Sequence, residues 1–256
     1  MTDPDRHLAD EDRPAAGDRP TADDPAPVVL ATDIGTDVDD TWALAQLLRT
    51  PQLDCRLVLT ETGDPEYRAS VAAKLLERAG RTDVPVGLAP ERREMEAAER
   101  NQAPWVAEYD LAEYPGTVRG DGVAAFAEVV TEADEPVTVV AVGPTPTLAA
   151  AVDRRPELAS ECRLVGMHGS FYEGYDGGEP DAETNVRVDP AAFRTVLSAP
   201  WRDVLLTPLD TCGHVTLDGE RYRRVWSVTD DPLVRGVVEN NCLFAARVEW
   251  MAYDDF

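Results

Sequence analysis

Lysine is almost missing from this chain: Lys74 is the only one in 256 residues, and 24 Lys plus Arg stand against 49 Asp plus Glu. The formal charge of -25 argues against a nucleic acid or an anionic membrane as partner, because phosphates and acidic lipids are gathered by Lys and Arg clusters. Long apolar runs are missing too. No segment reaches the roughly 18 apolar residues of a membrane span, and the N-terminus has no basic-then-apolar signal pattern, so a cytoplasmic protein is expected. Cysteine is sparse: Cys55, Cys162, Cys212 and Cys242 form no CxxC pair, which disfavours zinc and leaves buried free thiols. An excess of acid with so little lysine fits a halophilic, high-salt cytoplasm, where screening reduces self-repulsion.

What the chain does have is enough apolar material, 43% of its residues, for one large globular domain. Residues 1–27 are rich in Asp, Pro, Ala and Arg without aliphatic periodicity, so they are expected to form a disordered acidic leader before a single domain at 28–256. Strands are expected at Leu53–Thr60, Val84–Leu88, Pro136–Val142, Arg163–Met167 and Val204–Thr207. Helices are expected at Tyr67–Ala79, Gly122–Thr131, Thr147–Val152, Asp189–Leu197 and Leu243–Tyr253. The charged stretch Glu91–Arg100 reads as a surface loop or helix, and the glycine-containing loop Gly169–Gly178 as the rim of a site. Such alternation of strand and helix implies an α/β fold, a doubly wound, mainly parallel sheet flanked by helices.

The most informative stretch is VVLATDIGTDVDDTWALAQLL, from Val28 to Leu48. Val28–Leu30 has the aliphatic character of a buried strand, and Trp42, Leu44, Ala45, Leu47 and Leu48 carry the pattern of the next helix. In open α/β sheets ligands bind beyond the carboxyl ends of strands, where this turn places Asp33, Asp37, Asp39 and Asp40. Two readings follow: a solvated acidic loop, or carboxylates kept ionised by sharing a hard divalent cation. The flanking apolar segments favour the cation. A nicotinamide-binding domain is disfavoured, since the turn lacks GxGxxG and puts acids where pyrophosphate needs free amides. An aspartyl phosphatase would need its second acid at Gly35, and an EF-hand would need glycine at Trp42.

TDIGTDVDDTWAL resembles the DTDPGxDDAxAL signature of the inosine-uridine-preferring nucleoside hydrolases, with two additional residues in the turn. Three further pieces follow in order. VVAVGPTPTLAAAVDRRPEL resembles IVAxGPLTNLAxAL and is followed by LVGMHGSF; AETNVRVDPAAFRTVL resembles AEFNxxxDPEAAxxV; LTPLDTCGHV resembles VPLDVTH. The resemblance implies a hydrolase that cleaves the N-glycosidic bond of ribonucleosides, releasing ribose and free base with a calcium-bound water. Asp33 would be the general base and a calcium ligand, Asp40 a ligand, Asp39 a ligand or ribose contact, and the Val142 carbonyl a backbone ligand. Glu183 and Asn185 would grip the ribose, with Met167 lining its pocket. The family's oligomers imply a homodimer or homotetramer.

The chain departs from the family in several places. Asparagines of the family are replaced near Asp64, at Thr147 and at Gly177. His168 stands in place of a glycine, and His214 lies near the PLD motif; each is a candidate for protonating the leaving base, against the commoner structural or exposed role of a lone histidine. The family's last aspartate ligand falls beyond Phe256, with Asp254 and Asp255 poor substitutes. A second reading therefore stands beside the hydrolase: a degenerate member of the family that binds nucleoside or ribose with weak or no catalysis.

Overall fold

The computed structural model describes residues 19–228 and 230–247. Residues 1–18 of the expected leader and residues 248–253 of the expected last helix lie outside the described residues, as do Asp254 and Asp255. The chain runs β1 (Ala26–Thr32), α1 (Asp39–Leu48), β2 (Leu53–Thr60), α2 (Pro65–Ala79), β3 (Val86–Gly87), α3 (Ala103–Val106), β4 (Val118–Arg119), α4 (Gly122–Glu132) and β5 (Val137–Ala141). It continues through α5 (Pro146–Arg154), α6 (Glu157–Ser160), β6 (Cys162–Gly166), α7 (Thr184–Val188), α8 (Pro190–Ser198), β7 (Asp203–Leu206), α9 (Leu209–Cys212), α10 (Gly219–Ser227) and α11 (Pro232–Ala245). All seven strands form one sheet, ordered β4-β3-β2-β1-β5-β6-β7, and every pairing is parallel.

Side chains alternate across a strand, so β1 feeds two cores. Val28 and Leu30 point to the layer of α1, α2 and α11, with Leu44, Leu75, Leu76 and Leu233. Val29 and Ala31 point to the layer of α4, α5 and α8, with Phe126, Leu148, Leu164 and Val196. The register shifts between Val28, opposite Cys55, and Val29, opposite Leu57. That shift passes over the exposed Arg56 and keeps Cys55 in the first core while Leu57 enters the second.

Several segments differ from the sequence expectation: β1 starts at Ala26, inside the expected leader, and α3, α6, α7, α9 and α10 lie outside the expected elements. Val118–Arg119 pairs with β3 as a two-residue edge strand, too short for any periodicity to show. The helix expected at Leu243–Tyr253 begins at Pro232 and ends at Ala245. Asp231 caps it, its carboxylate accepting from Leu233 N at 2.9 Å and Val234 N at 3.2 Å, and Pro232 starts it. Asn240 and Asn241 hide its apolar stripe in the sequence, yet both are buried. Glu91–Arg100 contains one 3-10 turn, Ala97–Glu99, closed by a capping box from Glu96 and Glu99. Among the described residues no helix is long and apolar enough to cross a membrane.

Candidate active site

The strand order reverses between β1 and its neighbours β2 and β5, the place where an open α/β sheet leaves a crevice at its carboxyl edge. Asp33 leaves β1 at that edge. Thr32, fully buried, donates its hydroxyl to the Asp40 carboxylate and accepts from Ile34 N at 3.1 Å, so the last strand residue folds the turn onto the start of α1. Asp39 and Asp40 occupy the first turn of α1, where the helix dipole favours negative charge. Gly143, just past β5, admits Asp33: a Cβ there would stand 2.5 Å from Asp33 Oδ1 and 2.8 Å from its backbone N.

The electrostatics of this turn are one-sided. Burial, then the charges of Asp33 and Asp39, push Asp40 well above the ordinary carboxylate range. Burial raises Asp33 too; the Arg68 guanidinium opposes this, while Asp39 and Glu183 add to it. Asp37 is pushed up to about 6 by burial and then by Asp39 and Asp33. The cation facing them is Arg68, whose side chain is 1% exposed and lies 3.6 Å from Asp33 Oδ2.

The opposite wall comes from the ends of β5 and β6 and from α7. Glu183 caps α7, accepting from Asn185 N at 2.6 Å and Val186 N at 3.1 Å, and holds Gly169 N at 3.0 Å. The Asn185 amide then donates to Val142 O at 3.1 Å and Met167 O at 3.0 Å, tying the two strand ends together. Thus Val142, Met167, Glu183 and Asn185 meet as one wall, with Asp33 placed by Gly143 and within the field of Glu183.

The histidines lie apart from this meeting. His168 is 1% exposed, stacked on Phe193 of α8 at 4.5 Å, with Nε2 3.1 Å from Gly143 O. Burial pushes its pKa down to about 4, so at neutral pH the ring is uncharged and its Nε2–H donates to that carbonyl. His214 is exposed and pairs with Glu173 at 2.7 Å, joining the segment after α9 to the glycine-containing loop. Asp210 of the PLD motif holds the same loop, accepting from Phe171 N at 2.8 Å, Tyr172 N at 2.6 Å and Glu173 N at 3.2 Å. These backbone bonds keep its carboxyl below the usual range.

The replaced asparagines have other duties. Asp64 caps α2 and pairs with Arg100 at 2.6 Å and Arg92 at 3.1 Å. Thr147 N donates at 2.6 Å to Glu61, a fully buried acid that also accepts from Leu148 N at 3.3 Å at the head of α5. Burial raises Glu61 to about 8. Gly177 adopts φ +69°, a conformation that costs glycine little.

Sequence reasoning missed Arg68 and Glu61. Arg68 did leave a signal: it lies on the same helical stripe as Val71, Ala72 and Leu75, all buried in α2. Glu61 left none, because one acid at a strand end looks like an ordinary loop residue.

The donors fit a hard divalent cation in kind and charge. Asp33, Asp39 and Asp40 offer carboxylates, and the Val142 carbonyl keeps a second lone pair beside the Asn185 bond. Burial first, and the neighbouring carboxylates after it at Asp33 and Asp40, hold their pKa values up, and a bound cation would offset both. Among the described residues, however, no three His, Cys, Asp or Glu side chains converge tightly enough to enclose an ion.

Comparison with known proteins agrees with this architecture. The pyrimidine-specific ribonucleoside hydrolase RihA of Escherichia coli (strain K12) is 30% identical over 214 residues, covering 78% of this chain and 66% of that protein. The chain therefore spans just under two thirds of the curated relatives it matches. Among solved structures, the plant nucleoside hydrolase PpNRh1 superposes with a TM-score of 0.72 at 25% identity, covering 90% of this chain and 74% of that one. The inosine-uridine preferring enzyme of Bacillus anthracis gives a TM-score of 0.70 at 22% identity, covering 85% and 76%, a likeness of fold. The family profile of the inosine-uridine preferring nucleoside hydrolases matches residues 28–253, and this chain belongs to that family.

Proposed function

We propose that this protein hydrolyses the N-glycosidic bond of ribonucleosides, with Asp33 as general base and calcium held by Asp33, Asp39, Asp40 and the Val142 carbonyl. The observation that carries this reading is the meeting of the acidic turn with the Val142, Met167, Glu183 and Asn185 wall, one side able to activate water and the other to hold a sugar. Bound there, calcium would polarise water and fix sugar hydroxyls. Asp33 takes the proton of the attacking water, a role that suits a carboxylate whose basicity burial has raised. Glu183 accepts from a ribose hydroxyl and Asn185 orients the sugar through its side-chain amide, holding the anomeric carbon in line with the base. Met167 gives the sugar an apolar floor.

His168 is a poor proton donor for the leaving base, because it is neutral, buried and already committed to Gly143 O. Its place is structural: it props the end of β5 through that carbonyl. His214, exposed on the rim, is the histidine left to meet a leaving base. Release of reducing sugar from a mixed set of ribonucleosides, in high salt with calcium, tests the reading. Asp33→Ala is expected to lower turnover by about 10²–10⁴-fold with the fold intact. Turnover that survives in the variant sinks the assignment of the base.

The binding-only reading has one specific observation in its favour, the lack of a tight three-ligand cluster among the described residues. Isothermal titration with calcium separates the two. Micromolar binding with turnover supports the hydrolase, and no binding at millimolar calcium supports the degenerate member.

A further inference from the structure

The acidic turn is held from outside along its whole backbone. Arg68 donates to Asp33 O, to Ile34 O at 2.9 Å, to the Thr36 hydroxyl at 3.1 Å and to Thr62 O. Its neighbour Tyr67 donates its phenol to Gly35 O at 2.8 Å and accepts from Gln102 N at 3.1 Å. Asn101 donates its amide to Thr36 O at 2.7 Å, and Gln102 donates to Asp37 O at 3.1 Å while accepting from the Thr41 hydroxyl. Each of the five consecutive carbonyls from Asp33 to Asp37 thus accepts a side-chain hydrogen bond.

Two glycines make room for this cradle. At Gly35, φ +109°, a Cβ would stand 2.8 Å from Tyr67 Cε1; at Gly63, φ +93°, it would stand 3.0 Å from Arg68 Nη2. Buried backbone carbonyls need partners, and a loop closing on several carboxylates would otherwise spread by repulsion. A guanidinium offers five donors in a rigid fork and keeps its charge when buried, so it satisfies carbonyls of both the acidic turn and the Thr62 segment while compensating Asp33. An ammonium in its place presents a point charge without the planar fork.

We propose that Arg68 is a positioning residue which, with Tyr67, Asn101 and Gln102, pre-forms the acidic turn in the metal-free protein and fixes the aim of Asp33. This rests on the reading of Asp33 as the base, but the shape of the turn is measurable without turnover. Ile34, fully buried in the middle of the turn, is the only isoleucine in the chain, so isotope labelling at isoleucine δ1 methyl gives one NMR signal reporting on it.

In the full metal-free wild-type chain that methyl is expected to give one sharp, dispersed signal, which added calcium moves without narrowing. A broad or multiple signal that becomes single only with calcium overturns the cradle, and this needs no variant to fold. Arg68→Lys is expected to broaden or split the signal and, in the working enzyme, to lower kcat by about 10²-fold with KM within about threefold. Methylguanidine is expected to restore part of kcat and the single signal to Arg68→Ala, which a residue needed only for bulk stability does not allow. An unchanged signal in Arg68→Lys removes Arg68 from the role. If wild type shows the sharp signal yet hydrolyses nothing, the cradle stands and the hydrolase reading falls.

Discussion

The centre of the sheet and its β7 margin are built to different standards. Around β1 the strand is covered on both faces, its residues Val28–Thr32 are buried, and the loop that leaves it is held atom by atom. At β7 the strand is the sheet edge: Asp203, Val204 and Leu205 are exposed, and α10 contributes no buried residue. The charge-dense centre is thus the closely held one. Carboxylates that repel each other need a stiff frame to stay together, while a strand carrying no chemistry can remain thinly covered.

Truncating the frame should produce the largest effect. Leu44→Ala, at a fully buried position behind the acidic turn, is expected to destabilise by about 2–5 kcal/mol in denaturant unfolding. A loss no greater than that at the β7 edge would erase the contrast. Gly143→Ala acts on geometry. Its Cβ meets both the carboxylate and the backbone N of Asp33, so the turn itself must shift; kcat is expected to fall by about 10²-fold, with a lower melting temperature.

Changing pH sharpens the comparison by charge. A carboxyl whose folded pKa is raised keeps a proton that the unfolded chain has released, so stability falls as pH climbs from the unfolded value through the folded one. For Asp37 that window runs from 3.8 to about 6, and Asp40 extends it upward. The metal-free protein should therefore melt lower at pH 7.5 than at pH 5, and calcium should raise melting more at pH 7.5, where its carboxylate ligands are free of protons. Differential scanning calorimetry with and without calcium checks this; equal stabilisation at both pH values would break the link between the cluster and the cation. The smallest effect belongs to the thin edge. Leu205→Ala, at a side chain 57% exposed, is expected to change stability by no more than about 0.5 kcal/mol in the same unfolding experiment.

Much of the fold was legible because its signals are local. Leu53–Thr60 is a strand at the expected bounds, and the helices at Tyr67, Gly122 and Thr147 begin within two residues of expectation, since Asp64 with Pro65, Asp121, and Pro146 mark the three starts. Strand–helix alternation gave the parallel sheet for the same reason. The helix over 232–242 was not expected because its buried Asn241 finds its partners only in the folded protein: it accepts from the Trp42 indole at 3.1 Å and donates to the Tyr222 hydroxyl at 3.3 Å. No pattern in the sequence announces such pairings.

For the site, the order of residues along the chain determined that Asp33, Asp37, Asp39 and Asp40 share one strand-to-helix turn, because adjacency and the end of an apolar strand suffice for that. It also placed Glu183 and Asn185 on one short segment. Only the tertiary structure decided that Asn185 reaches the ends of β5 and β6, that His168 is sealed beneath Phe193, and that an arginine 35 residues from Asp33 is the fixed cation of the turn. Those facts depend on which strands lie side by side and on what burial does to charge and to unpaired carbonyls, and neither can be read before the sheet has closed.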